Sequence, residues 1–184
     1  MAINGTHFLA VLLLFTFANI AEITFDFGKN KDGNDWEIIN DGVMGGLSKG
    51  EFEFTDHTLK FYGSVSLDNY GGFTSIKSPF KTFDLGLAQK VKIRYKTSNQ
   101  SIAINLENSK EFYKPYYKLN LEDTNDEWKS VEIEINQFKG YSLGQEVSTK
   151  ISKEFLKSVQ RIGFITSQKK EGKFNIEVDY LKFE

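Results

Sequence analysis

The sequence contains no cysteine, which excludes disulfides, thiolate nucleophiles and Cys-ligated zinc. It leaves the redox compartment open, because a cysteine-free chain tolerates either kind. Histidine is almost as scarce: of two in 184 residues, His7 falls in an apolar leader, so His57 stands alone in the body. One imidazole cannot supply the clustered ligands of a hydrolytic zinc centre, and no nucleophile elbow accompanies it to suggest a Ser-His-Asp triad. His57 therefore reads as a residue of the turn TDHT. Positive charge is not in excess either. With 23 Lys and Arg against 25 Asp and Glu the formal net charge is -2, and nothing resembles the basic stripe that neutralises a phosphate backbone, so no nucleic acid partner is expected. The glycine runs match neither a phosphate loop nor a Rossmann fingerprint.

What the chain has instead is aromatic residues and glycine: 17 Phe, 8 Tyr, 2 Trp and 15 Gly, with only two Pro. Flat aromatic and β-branched residues between Gly-containing turns favour sheet over helix. With 40% hydrophobic and 26% charged residues, the composition is that of a globular protein. Residues 8–17, FLAVLLLFTF, form an apolar run of secretory h-region length, followed by small residues at Ala18 and Ala21. The run is too short for a membrane-spanning helix of roughly 20 apolar residues. These features predict an export signal over 1–21 and a periplasmic or extracellular location, with or without attachment to a membrane. The remaining 22–184 is the size of one domain.

From about residue 22 the pattern is alternation at period two. Phe52 and Phe54 alternate with Glu51 and Glu53; after a turn near Asp56, Leu59, Phe61, Val65 and Leu67 resume it. Val91, Ile93 and Tyr95 alternate with Lys92, Arg94 and Lys96, and the same period recurs over 102–106, 117–121, 131–135 and 174–178. The register breaks at Tyr180 and Leu181, where a β-bulge would keep Leu181 and Phe183 facing the core. Strands with one apolar and one charged face predict antiparallel sheets wet on one side, two of which share a core about 10 Å thick. The long crossover helices of parallel βαβ architecture are missing. One helix candidate stands at 152–159, where Ser152 precedes KEFLKSV and can cap it. The expectation is an all-β, antiparallel β-sandwich of roughly ten strands with at most one or two short helices.

Two stretches resist the alternation: 36–50, WEIINDGVMGGLSKG, and 68–77, DNYGGFTSIK. Their paired glycines permit positive φ or close backbone approach, which bends at a sandwich end and ligand-facing loops both require. Asn40, Asp41, Met44 and Ser48 in the first stretch, with Asp68, Asn69 and Tyr70 in the second, are candidates for a binding surface. Asp41 can brace the turn by accepting backbone N–H groups, or join a ligand or Ca²⁺ site. Such a calcium site would draw its oxygens from Asn40, Asp41, Asp68, Asn69 and Asp179; their spacing does not show convergence, and no metal or cofactor is expected. Trp36, Tyr70, Phe73, Tyr113, Tyr116 and Trp128 are able to stack on sugar faces or to hold a protein interface. Phe73 and Trp128 are expected in the core, whereas Tyr70 and the cluster FYKPYY at 112–117, with Tyr113 and Tyr116, are the better candidates for exposure. Glu51, Glu53, Glu132 and Glu134 alternate with core residues and so face solvent rather than forming a glycosidase pair. No catalytic residue is expected.

The same two stretches resemble the hallmark segments of the NADH:ubiquinone oxidoreductase complex I intermediate-associated protein 30 family. FYGSVSL at 61–67, Trp128, the element at 138–140, RIGFITSQKKEG at 161–172 and FNIEVDYLKF at 174–183 follow in that family's order and spacing. The resemblance covers essentially the whole body. It implies a jelly-roll sandwich of galactose-binding-domain type and, from the family's mitochondrial members, a non-catalytic assembly factor that holds membrane-arm intermediates of respiratory complex I. This sequence departs from the pattern at Tyr70, where the family usually has Asn or Gly, and at Thr74 and Lys77, which stand for Ala and Arg. The expectation is a non-catalytic protein-binding factor with an assembly or chaperone-like role, its partner a membrane-complex intermediate or envelope protein. An extracellular or periplasmic carbohydrate-binding module is the alternative. Exposed Tyr and Trp beside polar groups in a groove would speak for sugar, a flat apolar patch for protein.

Overall fold

The computed structural model describes residues 22–184, so the expected export signal over 1–21 lies outside the described residues. In chain order, β1 (Ile23–Asp26) and β2 (Glu37–Asn40) precede the hairpin of β3 (Lys49–Phe54) and β4 (Leu59–Val65). Then come β5 (Thr74–Lys77), β6 (Lys90–Ser98), β7 (Ile102–Glu107), β8 (Tyr116–Asn120) and β9 (Lys129–Glu134). A second hairpin, β10 (Lys139–Ser142) and β11 (Gln145–Lys150), leads through the helix α1 (Lys153–Lys157) to β12 (Arg161–Thr166) and β13 (Gly172–Phe183). All these strands pair antiparallel in two sheets. One sheet runs β3-β4-β13-β6-β9 with β1 also on β13, and the other runs β11-β10-β8-β7-β12-β5-β2. This is the predicted antiparallel sandwich of jelly-roll type.

Period-two alternation builds the core between the sheets. Leu59 and Phe61 of β4, Val91, Ile93 and Tyr95 of β6, and Phe174, Ile176 and Val178 of β13 face Ile102, Ile104, Leu106, Ile162 and Phe164 of the other sheet, all at 2% exposure or less. Trp36 is wedged edge-on against Phe25 and Phe27, with ring centroids 5.3 Å from each, and is 4% exposed. It is therefore a core residue and offers no platform for a ligand. Trp128 corrects the expectation in the opposite sense. It precedes β9 on the outward side, its ring lies 4.4 Å from the Arg94 guanidinium, and it is 38% exposed. Phe73 is half-buried.

β13 organises the six-stranded sheet. It pairs with β6 along one side, and on the other with β4 from Gly172 to Val178, then with β1 from Tyr180 to Phe183. Asp179 is the extra residue of a bulge, because the β6 register shifts between Val178 and Tyr180. The bulge returns Leu181 and Phe183 to the core as the sequence predicted. Helix α1 is shorter than the predicted 152–159, and the Ser152 hydroxyl caps it by accepting the Phe155 N–H at 3.1 Å. The strands missed in the sequence are short or weakly alternating. β10 and β11, for example, join through Leu143 and Gly144 with φ of 49° and 78°, a primed turn whose twist suits a hairpin.

Trp36→Ala is expected to cost roughly 3–5 kcal/mol, whereas Trp128→Ala should cost less than about 1 kcal/mol. Denaturant unfolding of the two variants checks this; equal losses would mean that Trp128, too, is a core residue.

Candidate functional site

The loop after β2 crosses from the seven-stranded to the six-stranded sheet, and the loop after β4 crosses back. Asn40, Asp41, Met44 and Ser48 lie on or beside the first crossing, with Asp68, Asn69 and Tyr70 on the second. A single carboxylate joins the two. Asp41 is 1% exposed; its Oδ1 accepts the Ser48 N–H at 3.0 Å, and its Oδ2 accepts the Ser48 hydroxyl at 2.6 Å. Oδ2 also accepts the N–H groups of Gly72 at 2.7 Å and Phe73 at 3.2 Å. Burial alone would raise this carboxyl's pKa, but the Ser48 hydroxyl and the amides of Gly72, Phe73 and Ser48 outweigh it and hold the group below the usual range. The paired glycines are required here by close approach. A Cβ at Gly46 would stand 2.3 Å from the Asp41 Cγ, and one at Gly71 2.6 Å from its Oδ2.

Asn40 extends the clasp. Its Oδ1 accepts the Gly50 N–H at 3.0 Å and the Thr74 hydroxyl at 2.6 Å. Asp41 and the 4%-exposed Ser48 thus act from inside the loop pair. Asp68, Asn69 and Tyr70 form its exposed tip. Asn69 and Tyr70 both hold positive φ, 54° and 62°, which is uncommon for residues other than glycine, and Tyr70 is 97% exposed; Leu47 and Leu67, on the same two loops, are exposed as well. The side chain of Met44 lies outside the described residues. Among the described residues no three His, Asp or Glu side chains assemble as a metal site. Asn40 and Asp41 are committed to the clasp, while Asp179 pairs with Arg94 at 2.7 Å.

Tyr113 and Tyr116 stand at the opposite end of the seven-stranded sheet from this clasp. Tyr113 is half-exposed and its hydroxyl donates to Glu111 at 2.7 Å. Tyr116 opens β8 and faces outward, since its neighbour Tyr117 faces the core. The strand pairing places Asn105 opposite Lys118, Lys118 opposite Lys139, and Tyr116 opposite Tyr141. All of these side chains share the outward face. The Tyr116 and Tyr141 rings are stacked, with centroids 6.0 Å apart and an interplanar angle of 24°, and the Lys118 ammonium lies 3.8 Å above the Tyr141 ring.

Beside this pair, Glu107 accepts from Asn105 Nδ2 at 2.7 Å and from Lys77, while Arg161 pairs with Glu37. Asn105 Oδ1 is buried without a hydrogen-bond partner. Burial lowers the pKa of Lys118; burial and then the Glu107 charge raise that of Tyr116, and burial and then Glu146 that of Tyr141. The result is an aromatic and polar band across the face. Sequence reasoning missed Lys77, Asn105, Glu107, Lys118, Tyr141 and Arg161 because each occupies an ordinary outward strand position. The one available signal was Asn105, a polar residue amid the apolar run of β7.

The family described as Complex I intermediate-associated protein 30 matches residues 25–178. No curated protein matches the chain in sequence. Among solved structures, the family 11 carbohydrate-binding module of a cellulosomal cellulase of Clostridium thermocellum is similar, with TM-score 0.64 and 17% identity over 90% of this chain and 95% of that one. An agarase is similar with TM-score 0.58 and 10% identity, over 89% of this chain and 24% of that one. A family 29 carbohydrate-binding module solved with cellulohexaose follows at TM-score 0.50 and 15% identity, over 90% and 93%. At these identities the likeness establishes the two-sheet fold alone. The family match and the two-sheet sandwich make this chain a binding domain.

Asp41→Asn tests the clasp. A carboxyl whose folded pKa is depressed stabilises the protein above its unfolded pKa of about 3.9, and that contribution is lost as pH falls through the folded value. Asp41→Asn is therefore expected to be less stable than the wild type by about 2–3 kcal/mol at pH 7, with the difference closing below about pH 4. Urea titrations at several pH values check it; a difference independent of pH would show that the carboxylate charge is not what holds the loops.

Proposed function

The chain belongs to the Complex I intermediate-associated protein 30 family, and from that premise we propose that it is a carbohydrate-binding member, holding a glycan on the outward face of the seven-stranded sheet. The observation that carries this reading is the stacked Tyr116–Tyr141 pair beside Lys118, Asn105 and Glu107. Aromatic rings take the apolar C–H face of a pyranose, and neighbouring polar groups fix its hydroxyls. The fold's likeness to carbohydrate-binding modules, one of them solved with a β-1,3-1,4-mixed-linked tetrasaccharide, supports the same class of ligand. Export to the periplasm or the outside, as the leader at 1–21 implies, would bring the domain to such glycans.

A second reading keeps the family's implied role, a protein partner that is an intermediate of a membrane complex. The observation favouring it is the tip of the clasped loops, where Tyr70, Leu47 and Leu67 are exposed at 97%, 54% and 45%. Exposed apolar side chains on paired loops suit the apolar centre of a protein interface.

Affinity electrophoresis and calorimetry of the purified protein against soluble neutral and acidic glycans, mixed-linked β-glucan among them, separate the two. Binding should weaken at least tenfold, about 1.4 kcal/mol, in Tyr141→Ala and in Tyr116→Ala, and stay unchanged in Tyr70→Ala. Absence of binding to any glycan, with membrane-complex subunits captured by the wild type and lost with Tyr70→Ala, would replace the glycan reading with the protein one.

A further inference from the structure

The opposite sheet carries a groove that neither the family nor the band of tyrosines accounts for. It opens where β13 leaves β4 and takes up β1, at the Asp179 bulge, because neither neighbouring strand covers that point. The groove has a volume of about 690 Å³, within the roughly 300–1,000 Å³ of small-ligand sites. Its walls are Trp128 and Arg94 on one side and the hairpin turn of Thr55, His57 and Thr58 on the other, with Asp26, Lys29, Glu177 and Asp179 between.

These walls are held in place. The Asp179 carbonyl accepts the N–H groups of Phe27 and Gly28 at 2.9 and 3.2 Å. A Cβ at Gly28 would stand 2.5 Å from the His57 carbonyl oxygen and 2.9 Å from Asp179 Oδ1, so the floor must be glycine. Lys31 donates to the Thr55 carbonyl and, at 2.9 Å, to that of Asp56, pinning the turn. Arg94 is fixed between the Trp128 ring at 4.4 Å and Asp179 at 2.7 Å.

The charges narrow the ligand. Asp26, Glu177 and Asp179 are balanced by Lys29, Arg94 and, through its pair with Glu177 at 3.1 Å, Lys96. A balanced rim favours neither an anion nor a cation. It offers carboxylate acceptors, guanidinium donors and an imidazole that is either, next to an indole. A neutral pyranose ring, with hydroxyls that both donate and accept and an apolar C–H face, meets all three.

We propose that this groove is a second saccharide site, on the sheet opposite the tyrosine band, and that the domain is bivalent for neutral glycan. The proposal rests on the carbohydrate reading of the fold, but on different residues. Two sites on opposite faces engage two chains, or two stretches of one, and gain by effective concentration on an insoluble polysaccharide.

The two tryptophans make the test direct. Trp36 is buried at 4% and Trp128 is 38% exposed, so a ligand in the groove shifts Trp128 emission while one on the tyrosine face does not reach it. Emission and calorimetry are followed as each soluble oligosaccharide, led by the mixed-linked tetrasaccharide, is added to the wild type, to Tyr116→Ala/Tyr141→Ala and to Arg94→Ala. The expected result is two equivalents bound by the wild type, and one equivalent with a retained emission change in the tyrosine variant. Arg94→Ala and, as a second variant at an exposed turn, His57→Ala should weaken the emission response at least tenfold with circular dichroism unchanged. One equivalent, lost in the tyrosine variant and never moving Trp128 emission, would overturn the groove site and leave the tyrosine face standing. No equivalent bound to either would overturn both.

Discussion

A carboxylate removed from water is tolerated only where its lone pairs are met, and Asp41 meets that requirement by accepting from two loops at once. Those loops are the two crossings between the sheets at this end of the sandwich, β2 to β3 and β4 to β5. The Asp41 carboxylate therefore fixes one crossing against the other as well as the shape of each loop. Its neighbours are arranged around the same need. Gly46 and Gly71 leave room for the carboxylate, Gly50 leaves room for the Thr74 hydroxyl, and Asn40 ties β3 to β5 directly. In sequence the cluster fits either a bend at the end of the sandwich or a ligand-facing loop; in the structure its central members, Asn40, Asp41 and Ser48, are structural, while Asp68–Tyr70 with Leu47 and Leu67 are presented to solvent.

With the sheets held, the two outward faces differ in chemistry. The six-stranded sheet carries a ladder of opposite charges, among them Lys60 with Glu53, Lys92 with Glu132 and Lys96 with Glu177 at 3.0 to 3.3 Å. Exposed pairs such as the first two contribute only about 0–1 kcal/mol each, so the ladder serves solubility and suppresses mispairing more than it stabilises the fold. The seven-stranded sheet puts Tyr116, Tyr141 and the nearly buried Lys118 and Asn105 on its outward face instead. Partly desolvated polar groups have strong electrostatic interactions and a high cost if left unpaired, which is the condition for selective binding. The interruption of the charged ladder at the Asp179 bulge gives that face, too, a place where an indole and a guanidinium meet a groove.

Much of this architecture could be read in the sequence because alternation is a direct record of which side of a strand is buried. Val91, Ile93 and Tyr95 against Lys92, Arg94 and Lys96 located a strand and both of its faces, and the break at Tyr180 marked the bulge. Asp41 stood out because an acidic residue among paired glycines has few reasons to be there. The aromatic and polar band did not stand out. Lys118 and Tyr116 alternate with core residues as any surface residue does, and only cross-strand register brings them beside Asn105 and Tyr141. Trp128 misled for a related reason: large aromatics are usually buried, and the cation that holds this one outside, Arg94, is 34 positions away in sequence, as 128 less 94 gives.

The pairing of β1 with β13 sets a timetable for folding. Ile23 lies opposite Phe183 and Asp26 opposite Tyr180, so the first described strand has no neighbour until residues 180–183 have been made. The centre of the six-stranded sheet is likewise β13 itself, flanked by β4 and β6, which wait unpaired along that edge through synthesis. Loop closure over such separations is slow. A ribosome-bound fragment ending before residue 172 would therefore lack the central strand of one sheet, and that sheet would stay open until residues 172–183 emerged.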